Sequence, residues 1–229
     1  MKKLVSLLLV LLSFALCAAF AEAPVTVYVS VSDASGALVL AYAPVTVTDT
    51  DADGVLTIGD ALCAAHAAHY PAGAEGYGAA MTEYGLSLTT LWGSEPGSSF
   101  GYYLNDQSAW SLADPVADGD HVKAFVYTDL TGWSDAYCWF VAPAMEAAAG
   151  AEVALTLTAA GYDAQWNPVA LPVEGAVLTI GGEETSAVTD AEGRAVLTFA
   201  EAGTYVVSAV SPSQRLVAPV CVITVTAGE

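Results

Sequence analysis

Basic side chains are scarce in this chain: 229 residues carry 5 Lys and Arg against 25 Asp and Glu, a formal charge of −20. A protein that grips nucleic acid must supply cations to displace the counterions of phosphates, so nucleic acid is excluded as a partner. The same deficit disfavours anionic membrane surfaces. Charged residues of both signs make up only 13% while hydrophobic residues reach 55%, which excludes disorder throughout and leaves ample material for cores. Alanine supplies much of that fraction, and no apolar run beyond residue 25 is long enough to span a bilayer. Also missing are the G-x-S-x-G, H-E-x-x-H, phosphate-loop and dinucleotide-binding fingerprints. A non-enzymatic protein is therefore expected.

The amino terminus reads as a targeting segment. Met1-Lys2-Lys3, the apolar stretch Leu4 to Phe20, and the small residues Ala19 and Ala21 match a secretory signal peptide, with cleavage expected after Ala21. Removal of residues 1–21 leaves Lys123, Arg194 and Arg215 as the basic residues against all 25 acids, a formal charge of −22. A lipid anchor on Cys17 is the competing reading, but Leu16 is bulky where such a signal takes Gly or Ala. The expected location is secreted or at the cell surface, without a transmembrane segment after cleavage. Cys63, Cys138 and Cys221 remain, an odd count in an oxidising compartment. A Cys63–Cys138 bridge and three separately buried thiols are both open.

The mature chain changes grammar near residue 145. Of 22 aromatic residues, 14 lie between Tyr70 and Phe140. Beyond the small-residue stretch 143–151, read as a linker, short alternating strands begin at Val153, Ala176, Ala195, Thr204 and Val220, separated by Gly181-Gly182, Asp190–Gly193 and Ala202-Gly203 turns. Residues 152–229 are expected to form an antiparallel sandwich. In residues 22–142, strands are expected at Pro24–Val31, Ala37–Leu40, Pro44–Thr48, Ser99–Leu104 and His121–Tyr127. A helix from about Ile58 to Tyr70 ends at Pro71 and Gly73. One helix laid across a mixed sheet is a β-grasp pattern. The fold class expected is mainly β with one helix, a β-grasp-like α+β domain plus an Ig-like β-sandwich.

The run TDAEGRAVLTFAEAGTYVVSAV from Thr189 to Val210 resembles bacterial Ig-like and transthyretin-like modules of surface proteins. The strand pair, Asp60-Ala61-Leu62 opening the helix, GYYLND at Gly101–Asp106 and DGDHVKAFVYTD ending at Asp129 resemble the β-grasp module at the carboxy terminus of transcobalamin. That second resemblance implies a corrinoid or another tetrapyrrole as the first small molecule to test.

One loop has its own chemistry. Asp49, Asp51 and Asp53 stand at positions 1, 3 and 5 of a twelve-residue EF-hand pattern, with Gly54 at 6, the Val55 carbonyl at 7, Leu56 as the apolar plug at 8, Thr57 at 9 and Asp60 at 12. A hard cation needs six or seven oxygens, and alternate residues of a tight turn can aim carboxylates inward together. Four carboxylates in twelve residues also repel one another unless a cation compensates them. The expected cofactor is calcium, held by Asp49, Asp51, Asp53, Val55, Thr57 and Asp60. The short acid at position 12 resembles dockerin loops, although no second copy follows.

His66 and His69 share a helix face, with His121 opening a strand beneath, a set able to hold zinc or to serve as ordinary core histidines. Trp92, Tyr102, Tyr103, Trp110 and Trp133 sit in Gly- and Ser-rich sequence with few charges, where flat rings with polar edges make platforms for ligands. They are the expected ligand-binding residues. The expected function is a calcium-stabilised module engaging an extracellular small molecule or a surface glycan or protein. The alternative is a structural or adhesive cell-surface protein whose aromatics are core.

Overall fold

The computed structural model describes residues 23–228, so the signal-peptide reading and Cys17 lie outside the described residues. The chain is mainly β with one helix. Strands β1 (Val25–Ser32) and β2 (Leu38–Val47) form an antiparallel hairpin. The two strands expected at 37–40 and 44–48 are one, because a bulge at Tyr42, which sits at φ +46°, lets the ladder resume after a register shift. Helix α1 (Ile58–His69) follows, and its end matches the expectation because Pro71 forbids continuation.

The stretch from Tyr70 to Phe100, which reads as one long loop, instead contains a 3₁₀ turn at Gly73–Gly76 and a hairpin of β3 (Gly78–Thr82) and β4 (Gly85–Thr90). Strands β5 (Phe100–Leu104), β6 (Gln107–Ser108) and β7 (His121–Val126) complete a sheet of order β2-β1-β7-β5-β6. β1 and β7 lie side by side in parallel, with α1 packed across them, which is the β-grasp arrangement. Val27, Val29, Leu62, Ala65, Leu91, Leu112 and Val122 form its core.

Ten strands build the rest: β8 (Asp135–Phe140), β9 (Ala144–Ala148), β10 (Glu152–Tyr162), β11 (Pro168–Pro172), β12 (Val177–Ile180), β13 (Glu183–Val188), β14 (Arg194–Thr198), β15 (Gly203–Val210), β16 (Arg215–Val217) and β17 (Cys221–Thr226). One sheet runs β11-β10-β8-β16 with β14 also on β10. The other runs β13-β12-β15-β17-β9. Alternate residues of both face a shared core of Phe140, Leu155, Leu157, Leu178, Val207 and Ile223, an Ig-like β-sandwich.

Two boundaries differ from the sequence reading. β8 falls inside the segment 22–142 but pairs with β10 and, in parallel, with β16, so it is a sandwich strand. The segment 143–151 is not a bare linker, since β9 runs parallel to β17 over five residues. The sheets therefore part between β7 and β8, at residues 127–134. Cys138, on β8, is buried in the sandwich core, while Cys63 lies on α1. All three described cysteines are free, and the Cys63–Cys138 bridge does not form.

Candidate functional site

The acidic loop folds as a tight left-handed turn, with Ala52 at φ +60° and Gly54 at φ +91°. Nothing lies within 4 Å of a Cβ added at Gly54, so its backbone conformation alone favours glycine there. One carboxylate oxygen from each of Asp49, Asp51 and Asp53 lies within 4.8 Å of the others. Oδ2 of Asp49 accepts the Gly54 N–H at 2.9 Å, Oδ1 of Asp53 accepts the Val55 N–H at 2.8 Å, and Oδ1 of Asp51 accepts the Asp53 N–H at 3.3 Å. The Gly54 bond leads the effects that hold the Asp49 carboxyl below its ordinary range. Desolvation, then the charges of Asp53 and Asp60, push that of Asp51 up. Oδ1 of Asp49 is shielded from solvent and has no hydrogen-bond partner.

Thr57 and Asp60 are placed differently from the expectation. Thr57 is the N-cap of α1 and Asp60 its third residue, in a reciprocal capping box: the Thr57 hydroxyl accepts the Asp60 N–H at 3.2 Å while Oδ2 of Asp60 accepts the Thr57 N–H at 3.1 Å. Oδ1 of Asp60 takes the Thr50 N–H at 3.1 Å and the Thr50 hydroxyl. Asp60 is thus buried and saturated, outside the group formed by Asp49, Asp51 and Asp53.

The histidines do not converge on a metal. His66 is fully buried, with Nδ1 donating to the Leu62 carbonyl at 2.6 Å and Nε2 accepting the Trp92 N–H at 2.9 Å. His69 is exposed. His121 is buried, with its Nε2 2.9 Å from the Ser30 hydroxyl. Burial, then the Lys123 charge, pushes His121 down to about 3.

The five aromatics singled out from the sequence scatter. Trp92 is half-buried against His66 and Tyr70, and Tyr102 packs on the β-grasp core. Trp110 is 88% exposed, with no aromatic partner among the described residues. Tyr103 faces away from that core, and Trp133, 57% exposed, lies edge-on to Tyr127 with ring centroids 5.2 Å apart. Tyr103 lines, and Trp133 borders through Tyr127, a cleft of about 510 Å³ between the β-grasp sheet and the sandwich.

Strand alternation builds this cleft. Lys123 and Phe125 of β7 point away from the β-grasp core, and Tyr137 and Trp139 of β8 point away from the sandwich core that buries Cys138 and Phe140. Phe125 stands opposite Gly101 in the β5–β7 ladder, and a Cβ at Gly101 would lie 2.2 Å from Cζ of that ring. Tyr103 and Tyr137 stack in parallel at 3.4 Å. Tyr127, Tyr162 and Trp139 complete the ring lining, with Gln107, Ser108 and Asp135 as polar groups. A second concavity, of about 750 Å³ between β2 and β15, is lined by Gly, Ala, Val, Leu, Ser, Thr and Gln with Arg215 as its charged group, and contains no aromatic ring.

A partly buried charge cluster adjoins the aromatic cleft, which Asp106 and Tyr137 line. Asn105 and Asp106 both adopt positive φ, +50° and +63°, in a two-residue turn between β5 and β6. Asn105 is pinned by donating to Asp120 at 2.7 Å and accepting the His121 N–H at 2.9 Å. The turn brings Oδ1 of Asp106 to 2.6 Å from Nζ of Lys123 and 2.7 Å from the Tyr137 hydroxyl that donates to it. Burial lowers the Lys123 amine against the opposing pull of Asp106, and burial followed by the Asp106 charge pushes Tyr137 far up. Burial raises Tyr103 to about 12 and also raises Tyr127, so Tyr103, Tyr127 and Tyr137 stay neutral phenols at any physiological pH. The sequence carried two signals for this site: the Asn-Asp turn after a strand, and the period-two spacing of Tyr137 with Trp139 and of Phe125 with Tyr127.

No helix among the described residues is long and apolar enough to cross a membrane. No protein-family model and no curated protein matches the chain. Two solved structures are similar to it in part, the N-terminal four Ig domains of Dscam1 isoforms 4.44 and 9.44, each with 8% identity and a TM-score of 0.24 over 66% of this chain and 32% of theirs. The chain spans about a third of their length, and a likeness at this level says nothing of a ligand.

Proposed function

We propose that the protein is a secreted, non-enzymatic binding module that holds an extracellular ligand in the aromatic cleft between its β-grasp sheet and its sandwich, with calcium stabilising the loop before α1. The observation that carries this reading is the cleft itself. Its volume of about 510 Å³ lies within the range typical of ligand sites, and it joins several rings to a few placed polar groups. The corrinoid or other tetrapyrrole implied by the transcobalamin resemblance is the first small molecule to test. The lining contains no His, Cys or Met, so such a macrocycle would be held by stacking, with a tyrosine hydroxyl as the axial ligand open to its metal.

Calcium fits the loop through Asp49, Asp51 and Asp53 with the Val55 carbonyl. The supporting observation is Oδ1 of Asp49, a carboxylate oxygen kept from water and from every donor, for which a cation would compensate. Asp60 would join them only by giving up the Thr50 and Thr57 donors, which makes the site weaker than a loop with a free twelfth ligand.

Absorbance titration with cobalamin and with haem, combined with thermal melting of the calcium-loaded protein, tests the small-molecule form. A spectral change that saturates and a raised melting temperature are expected for a bound macrocycle. Neither change with either compound removes it. The packing roles of Trp92 and Tyr102 favour the second reading, a structural or adhesive protein, which predicts no ligand in the cleft.

A further inference from the structure

Two exposed tryptophans hold backbone conformations that bulky residues seldom adopt. Trp133 sits at φ +52° and Trp166 at φ +62°, and they are 57% and 80% exposed. Left-handed φ at a large side chain is strained and persists only where surrounding bonds enforce it. In both loops one aspartate does so. Oδ1 of Asp129 accepts the N–H groups of Thr131 and Gly132 at 3.1 and 2.9 Å, and its Oδ2 accepts the Ser134 hydroxyl at 2.6 Å. Oδ1 of Asp163 accepts the N–H groups of Gln165 and Asn167 at 2.8 and 2.9 Å, and its Oδ2 accepts the Asn167 amide at 2.8 Å. Each loop thus spends hydrogen bonds on presenting an indole to solvent.

Both indoles adjoin the cleft. Trp133 lies 5.2 Å from Tyr127, and Trp166 lies 6.0 Å from Tyr162, measured between ring centroids, and both tyrosines line the cleft. The aromatic surface therefore extends past the cleft on two separate loops, further than one small molecule needs. Charge narrows what would lie on it. Nζ of Lys123 sits 5.3 Å from the centroid of the Tyr137 ring and is paired with Asp106, so the Tyr137 face and one Asp106 oxygen are already engaged by a cation of the protein itself. Among the described residues Arg194 is paired with Asp190 and Glu192, and Arg215 donates to Thr128. No basic side chain lines the cleft to receive a polyanion, in a protein of this charge. Oδ2 of Asp106 accepts no hydrogen bond from the described residues, while Oδ1 is held by Lys123 and Tyr137. That leaves a fixed acceptor beside neutral phenols and the Gln107 and Ser108 side chains.

We infer that this surface binds a neutral polysaccharide chain. Its sugar rings stack their C–H faces on Trp139, Tyr127 and Tyr162 within the cleft, its hydroxyls bond to Asp106 and Gln107, and Trp133 and Trp166 hold the chain beyond it. The inference rests on the cleft being the ligand site and names the class of ligand.

Affinity electrophoresis of the calcium-loaded protein in native gels containing laminarin, xylan or galactomannan tests it, with heparin gels and a cobalamin titration alongside. Retardation in at least one neutral gel is expected, weakened at least tenfold in the W133A/W166A double variant, with none in heparin. A double variant retarded as strongly as the parent overturns the inference, as does retardation in heparin. No retardation in any neutral gel together with a saturating cobalamin response overturns the polysaccharide and leaves the cleft as a small-molecule site. Failure of both ligand types, with the protein folded by its melting curve, overturns the cleft reading as well.

Discussion

The backbone N–H of Trp92 donates to Nε2 of His66 at 2.9 Å, joining the loop after β4 to the last turn of α1. Nδ1 of the same imidazole donates to the Leu62 carbonyl, so the ring is neutral with its proton on Nδ1. Both residues carry functional readings from sequence, one as a zinc ligand and one as a ligand platform. Together they form a structural tie: the helix fixes the tautomer, and the tautomer fixes a loop residue at φ +51°.

Mild acid should therefore loosen the fold through its buried imidazoles. Burial lowers the pKa of His66, and burial with the Lys123 charge takes His121 to about 3. The unfolded imidazoles gain protons near pH 6.5 and the folded ones resist, so the unfolded state binds more protons and stability falls as pH drops below 6.5. At pH 5 His121 alone accounts for a loss of about 2 kcal/mol relative to neutral pH. Urea melts at pH 7 and pH 5 check this, and the difference should shrink in His121→Gln. An unchanged difference in that variant assigns the pH dependence to other groups.

Calcium should raise the melting temperature. A single loop of this kind with a dissociation constant of about 10⁻⁵–10⁻³ M gains about 1.5–4 kcal/mol in 10 mM calcium, several degrees for a chain of this size. Asp49→Ala with Asp53→Ala should abolish the shift. Identical melting curves in calcium and in EDTA contradict the calcium assignment.

Gly101→Ala should damage the cleft from beneath. The added methyl meets the Phe125 ring at 2.2 Å, and that ring packs against Tyr103, Tyr127 and Tyr137 of the cleft. A loss of about 1–3 kcal/mol in stability is expected, together with weaker retention in whichever neutral gel retards the parent. Full retention with unchanged stability shows that the cleft tolerates the displacement.

Reductant should leave stability unchanged. Cys63, Cys138 and Cys221 are free, and burial pushes Cys138 and Cys221 up to about 12, so neither is a reactive thiolate at neutral pH. Thiol titration should find Cys63 reacting first in the folded protein and all three after denaturation. A melting temperature that drops in dithiothreitol points to a bridge.

Local grammar carried far in this chain. Apolar alternation marked most of the core strands, and Pro71 marked the end of α1. What it missed depends on distant partners. DAYCWF at Asp135–Phe140 looks like the end of an aromatic segment until β10 and β16 claim it. AMEAA at Ala144–Ala148 has weak strand propensity and is a strand because β17 offers a ladder. The acidic loop was legible as a loop, but Thr57 and Asp60 satisfy two patterns at once, a calcium loop and a capping box, and the fold uses them for the second. The cleft draws Tyr103, Tyr127, Trp139 and Tyr162 from four separate segments, so no window of sequence holds it.

The central claim, that ligand lies in the cleft between the sheets, is tested most directly by hydroxyl-radical footprinting of the calcium-loaded protein with and without laminarin, xylan, galactomannan or cobalamin. Protection by the probe that binds is expected at Tyr127, Trp139 and Tyr162, with Trp110 labelled as before. Protection centred on Trp92 or Trp110, with the cleft rings labelled equally in both states, would contradict the account.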